Sequence, residues 1–199
     1  MATAARTGTT YETRRMIDTD TRAAAIGLHT IWGQTLGAVT ASSAMRDLED
    51  FLRLLERSTV IKLLAFDPDD GLAGVAFLTN ELELVPGISS EFFHARYPTE
   101  IASGQLWYLI SGVAHPARPG VLDGLRGKGV EAAHRRQAAV LVWDADSLHG
   151  DAVERTTVDA ARRLTGSDLV PVELDRVSYM AIELPAGDDG RVIDLRGQD

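Results

Sequence analysis

A chain of 199 residues, 45% hydrophobic and 25% charged, is long enough for one soluble domain with a sizeable core. The formal net charge of −9 argues against general nucleic-acid binding, and the absence of cysteine removes disulfides, thiolate nucleophiles and zinc–thiolate sites together. No apolar run reaches the roughly 18 residues of a membrane span, and Met1 to Thr10 lacks the apolar core of a signal peptide, so a cytoplasmic chain without a membrane partner is expected.

Residues 1–10 are small and polar and read as a flexible tail. Tyr11 to Ile17 reads as a first strand. Asp18, Thr19 and Asp20 then supply N-cap candidates for a helix. Ala24, Leu28, Ile31 and Trp32 recur on one face of that helix, with His29 beside it. Gly37 to Ser43 breaks the pattern. Ser42 or Ser43 can cap a second helix with the stripe Met45, Leu48, Leu52 and Leu55, and with Glu49 and Arg53 as an exposed i,i+4 pair. Val60 to Phe66 and Leu72 to Leu78 form a hairpin around Asp67-Pro68-Asp69-Asp70-Gly71. That aspartate cluster lacks the spacing and distal glutamate of a calcium-binding loop.

Asn80 to Gly104 is an irregular insert. It carries Glu81, Glu83 and the cluster Phe92, Phe93, His94 and Tyr97, whose aromatics either line a pocket or anchor the insert on the core. Leu106 to Val113 is a buried strand containing Trp107 and Tyr108. After Val113-Ala114-His115-Pro116 comes Arg126-Gly127-Lys128-Gly129-Val130, with cations and glycines alternating. On its residues alone it reads either as a cationic loop entering a helix or as an anion-binding loop. The glycines let backbone N–H groups approach a phosphate, the cations add charge, and the following helix points its positive end at the same place.

Ala138 to Trp143 is an unbroken apolar run, as in a strand covered on both faces. Asp151 can cap a last helix with Val153, Thr157, Ala160, Ala161 and Leu164 on one face and Gly166 at its C′ position. Leu169 to Leu174 and Val177 to Leu184 read as two closing strands, and 185–199 as a C-terminal tail. Together these make one α/β domain over 11–184, with a mixed sheet of roughly six or seven strands and helices on its faces.

The turn Val113-Ala114-His115-Pro116, with the Arg126 to Val130 run behind it, resembles the acyl-CoA-binding segment of the GCN5-related N-acetyltransferase superfamily. There a Val-x-Pro-like turn precedes an Arg/Gln-x-x-Gly-x-Gly/Ala loop that holds the pyrophosphate of coenzyme A. Arg126 takes the Arg/Gln position and Gly129 the first glycine. Glu131 stands at the final Gly/Ala position, and nine residues separate Pro116 from Arg126. The order of elements resembles the same fold from Tyr11 to Leu184.

The resemblance implies a mixed, mostly antiparallel central sheet with helices on both faces. It also implies that the strand ending at Val113 splays from the one beginning near Ala138. The implied activity is N-acyl transfer, most simply acetyl transfer, from acetyl-CoA or another acyl-CoA to an amine on a small molecule or peptide. The co-substrate would lie against Ser111, Gly112 and Val113 and against Arg126, Gly127, Lys128, Gly129 and Val130. Members of the family use a glutamate or an ordered water as base, and a tyrosine after the last helix to protonate the leaving thiolate. Here Ala161-Arg162-Arg163-Leu164 is followed by Thr165. The candidates are therefore Glu81 and Glu83 as bases, and Tyr108 and Tyr179 as acids. A homodimer is compatible with this reading. The alternative is an acetyltransferase-like module that binds or regulates without catalysis.

Other chemistries lack their residues. The histidines at 29, 94, 115, 134 and 149 show no metal-ligand pairing at helical spacing. There is no Gly-x-Ser-x-Gly elbow, and Arg126 to Val130 is too short for a Walker A loop.

Overall fold

Successive side chains of a strand point to opposite faces, so a sheet built from apolar runs must be covered twice. The computed structural model describes residues 8–36, 47–69, 71–144 and 150–174. Its strands are β1 (Thr10–Arg14), β2 (Ile61–Asp67), β3 (Gly71–Thr79), β4 (Leu106–Ala114) and β5 (Val140–Trp143). Its helices are α1 (Thr19–Leu36), α2 (Leu48–Glu56), α3 (Ser90–Arg96), α4 (Pro98–Ala102), α5 (Val121–His134) and α6 (Gly150–Thr165). The strands lie side by side in chain order. The first three pairings are antiparallel, and β4 with β5 is parallel. This is the expected mixed, mostly antiparallel sheet.

On one face, Leu64, Val75, Phe77, Leu106, Tyr108 and Ile110 pack under α1, α2 and the insert. On the other, Leu63, Ala65, Leu78, Trp107 and Leu109 pack under Val121, Leu125, Ala132 and Ala133 of α5. Helix α6 lies against α5. No helix among the described residues is long and apolar enough to cross a membrane.

Two helical stripes are rotated from their expected positions. In α1 the buried residues are Thr21, Ala25, Leu28 and His29, whereas Ala24 and Ile31 are exposed. His29 thus belongs to the packed face, and its ring lies 4.7 Å from that of Phe51. In α2 the buried residues are Phe51, Leu54 and Leu55, and Leu48 is exposed. Asp47 caps α2 by accepting from Glu49 N–H, while Ser42, Ser43 and Met45 lie outside the described residues. Arg53 pairs with Asp50 and not with Glu49.

The insert is a short 3-10 turn followed by α3 and α4. Phe93 is buried, edge-on to both Phe92 and Tyr108, and Tyr97 packs against the same cluster. These two aromatics anchor the insert on the core.

At the C-terminal side the expectation differs from the structure. Leu169 to Leu174 forms no strand, and Val170 and Val172 are exposed. Pro171 in the middle of that run has no N–H for a ladder and restricts the residue before it. Among the described residues β5 is therefore an edge strand, with Val140, Leu141 and Trp143 only half-buried. Val177 to Leu184 and the 185–199 tail fall outside the described residues.

Candidate functional site

Two irregularities meet on β4. The first faces β3. Val75 is opposite Val113 and Phe77 is opposite Ile110, so Ser111 and Gly112 together face Ala76 alone. This is a β-bulge, which bends the strand and re-aims its backbone. Gly112 is required there, because a Cβ would lie 2.1 Å from the Val75 carbonyl oxygen and 2.6 Å from Ala76 Cβ.

The second irregularity faces β5. The parallel ladder runs from Leu106 opposite Val140 to Leu109 opposite Trp143 and then stops, while β4 continues to Ala114. From Ile110 onward that edge of β4 has no strand beside it among the described residues.

A cleft of about 320 Å³, including its open mouth, occupies this fork. Its walls are Ala76, Leu109, Ile110 and Gly112 of the sheet, Trp143 and Asp144 at the end of β5, Leu122 and Arg126 of α5, and Val153 and Thr157 of α6.

Helix α5 starts right after the turn that follows β4. Gly120, at φ 84°, is its N-cap and brings no side chain to the first-turn amides. Those amides and the helix dipole form a positive end beside the fork. The charges around it are paired. The Arg118 guanidinium meets the buried Asp67 carboxylate at 3.1 Å, which ties the turn to the β2–β3 hairpin. Arg126 holds Asp123 at 2.7 Å. Thr156 of α6 donates to the same Asp123 oxygen at 3.4 Å, which bridges the two helices.

No family model matches the sequence, and no curated protein matches it. Solved structures do. An aminoglycoside acetyltransferase from an uncultured soil metagenomic sample, in complex with trehalose, aligns over 91% of this chain and 99% of its own, with 13% identity and a TM-score of 0.50. An aminoglycoside antibiotic 6'-N-acetyltransferase of Acinetobacter haemolyticus aligns over 88% of this chain and 99% of its own, with 16% identity and a TM-score of 0.48. A predicted acetyltransferase of Clostridium acetobutylicum, solved with acetyl-CoA, aligns over 88% and 96%, with 13% identity and a TM-score of 0.46. The fold is that of the GCN5-related N-acetyltransferases.

Within this acetyltransferase fold the sequence candidates separate. Ser111 and Gly112 form the bulge, and Val113 next to them is fully buried. Arg126 to Val130 is not a loop ahead of a helix but the middle of α5. Of that run only Arg126 lines the cleft. Gly129 and Val130 are buried, and a Cβ on Gly129 would lie 2.5 Å from Leu109 Cδ1. Gly127 faces open space. Lys128 donates to Glu131 at 2.9 Å, and Arg135 pairs with the same carboxylate. The Lys128 hydrogen bond, with the charges of Lys128 and Arg135, holds Glu131 below the usual carboxylate range.

The acid and base candidates separate as well. Glu81 and Glu83 lie beyond Thr79, which pairs with Tyr108, on the side away from the fork. Neither lines the cleft, and Glu83 is 3.7 Å from His94. Tyr108 is buried on the α1 and α2 face. Burial, and next the Asp144 carboxylate, push its hydroxyl well above the usual phenol range. Tyr179 lies outside the described residues.

Asp144, Trp143 and the Pro119-Gly120 helix start were not singled out from the sequence. A Pro-Gly pair just before a helical run is a turn signal that could have placed the start of α5. Asp144, the first charge after an apolar strand, stands where ligands of open α/β sheets are commonly met. Among the described residues no His, Asp and Glu cluster could hold a metal ion.

Proposed function

We propose that this protein is an acyl-CoA-dependent N-acyltransferase that moves an acyl group, most simply acetyl, from coenzyme A to an amine on a small molecule or peptide. The observation that carries the reading is the fork between β4 and β5, with a bulge on its β4 side and the start of α5 at its mouth. An extended, amide-bearing arm fits such a place, because the edge of β4 that no described strand covers offers backbone donors and acceptors in strand geometry. The diphosphate end is assigned to the first turn of α5, with Arg126 supplying charge from the cleft wall. The Ser111–Gly112 backbone is assigned to the thioester. Lys128 and Gly127 lie further along the helix and contribute less. Gly129 and Val130 serve packing.

The chemistry is direct transfer. The amine loses its proton, its nitrogen attacks the thioester carbon, the C–S bond breaks, and the thiolate takes a proton. Most of the rate comes from holding the two reactants together and from the proton transfers. Tyr108 keeps its proton throughout the physiological range. It is the candidate acid that feels the charge of a cleft residue, Asp144. Glu81 and Glu83 would act as bases only through water, given their placement past the far end of the β3–β4 pairing.

Calorimetric titration of acetyl-CoA, followed by a thiol-release assay over a panel of amines, tests the reading. Saturable binding with thiol release is expected. Absence of binding would overturn the proposal. Binding without turnover on any amine would support the non-catalytic module in its place.

A further inference from the structure

We infer that Asp123, which holds Arg126 of the cleft wall, determines donor specificity as an anion that competes with the phosphates of the acyl donor. The inference rests on the acyl-CoA reading above and goes beyond it. Asp123 is the third residue of α5, among the amides assigned to the diphosphate. Its carboxylate holds Arg126, the cation that lines the cleft, at 2.7 Å. It also accepts from Thr156, whose neighbour Thr157 lines the cleft. The carboxylate is therefore tied into both helices that flank the mouth.

A carboxylate in the first turn of a helix favours the helix, because it meets the dipole and the free N–H groups. The same position repels an incoming diphosphate and keeps Arg126 engaged. Binding requires Arg126 to leave Asp123 for a phosphate oxygen. The repulsion grows with the charge on the donor, so Asp123 narrows the advantage that phosphorylated donors gain from Arg126 and the helix end over uncharged ones. Asp123 thus sets how much the phosphates of coenzyme A add to affinity. Arg118 does not take over the role, since Asp67 already holds it.

The test compares wild type with Asp123→Asn, titrating acetyl-CoA and S-acetyl-pantetheine, which has the thioester arm but no phosphate. Asp123→Asn is expected to tighten acetyl-CoA by roughly tenfold at low salt, with the gain shrinking as salt rises. Affinity for S-acetyl-pantetheine should not change. The melting temperature should fall slightly, because the helix loses its N-terminal charge. Stability and affinity would then move in opposite directions, which a merely structural residue would not produce. Asp123→Ser, which keeps a hydroxyl acceptor at the helix start, should show the same pattern if the asparagine variant folds poorly. Equal effects on both donors, or none on acetyl-CoA, would overturn the inference while leaving the acyl-CoA reading intact. If neither donor binds either protein, the acyl-CoA reading falls and the inference falls with it.

Discussion

Lys62 is fully buried, and among the described residues its ammonium is paired with no carboxylate. It donates instead to three backbone carbonyls, those of Arg15 at 2.8 Å, Val60 at 3.1 Å, and Arg57. One cation thereby closes the turn between α2 and β2 and fastens it to the end of β1. Burial pushes its pKa down to about 8. The unfolded chain, with lysine near 10.4, binds the extra proton between those values, so Lys62 makes stability rise with pH across that window. The gain is on the order of 2 kcal/mol between pH 8 and 10. Above pH 10 the buried tyrosines act in the other direction. Tyr108 and Tyr11 are both raised by burial, so the unfolded chain ionises first and stability falls. Urea melts at several pH values should show the rise in wild type and not in Lys62→Met. That variant leaves buried carbonyls without a donor but also removes the cost of burying a charge, so the slope with pH, and not the stability at pH 7, is the readout. A pH profile unchanged by the substitution would refute the linkage. In the sequence Lys62 was only a charge inside an apolar strand, and nothing in its neighbours announced three carbonyl partners, two from the turn before β2 and one from the end of β1.

Three glycines of α5 meet three different surroundings. Gly124 lies against Tyr11, whose hydroxyl a Cβ would approach to 2.2 Å. Gly129 lies against Leu109 and Leu63, whose flexible ends can move. Gly127 has nothing within 4 Å. Gly127→Ala is therefore expected to stabilise by about 1 kcal/mol through helix propensity alone. Gly129→Ala should change little, as propensity offsets a small shift of leucine. Gly124→Ala should destabilise, because an aromatic ring must be displaced. Denaturant midpoints of the three variants check this ordering, and a destabilising Gly127→Ala would contradict a helix there. The same glycines account for the misplaced loop. Glycine signals both a turn and a close helix-to-sheet approach, and spacing alone does not separate the two. The hairpin and the strands up to β5 were legible because β-branched and apolar runs bounded by Pro, Gly and Asp have few alternatives. The stripes of α1 and α2 were misjudged by about one position each. Such a rotation is settled by what the sheet offers, here Phe77 beneath Phe51, and not by periodicity alone.

The molecule as a whole has a firm centre and a lighter rim. Strands β2 and β3 are almost entirely buried, whereas α4 contributes no buried residue and α3 only Phe93. Helices of 7 and 5 residues are too short to hold themselves. Hydrogen exchange should therefore show amides 90–102 opening locally, well before β2 and β3. Protection there equal to the central strands would mean that the insert folds as part of the core. The order of layers was readable from the alternation of strands and helices. The fork was not readable, since it depends on where a ladder stops and no residue type encodes that. This has an evolutionary consequence. On the proposed reading, recognition runs along the part of β4 that no described strand covers, and it makes its demands on main-chain atoms, which nearly any residue can supply. Only a few positions, such as Gly112, are held to one identity by sterics. The rest of the chain is free to drift while the architecture persists. That is how 13% identity can coexist with alignment over 91% of the chain.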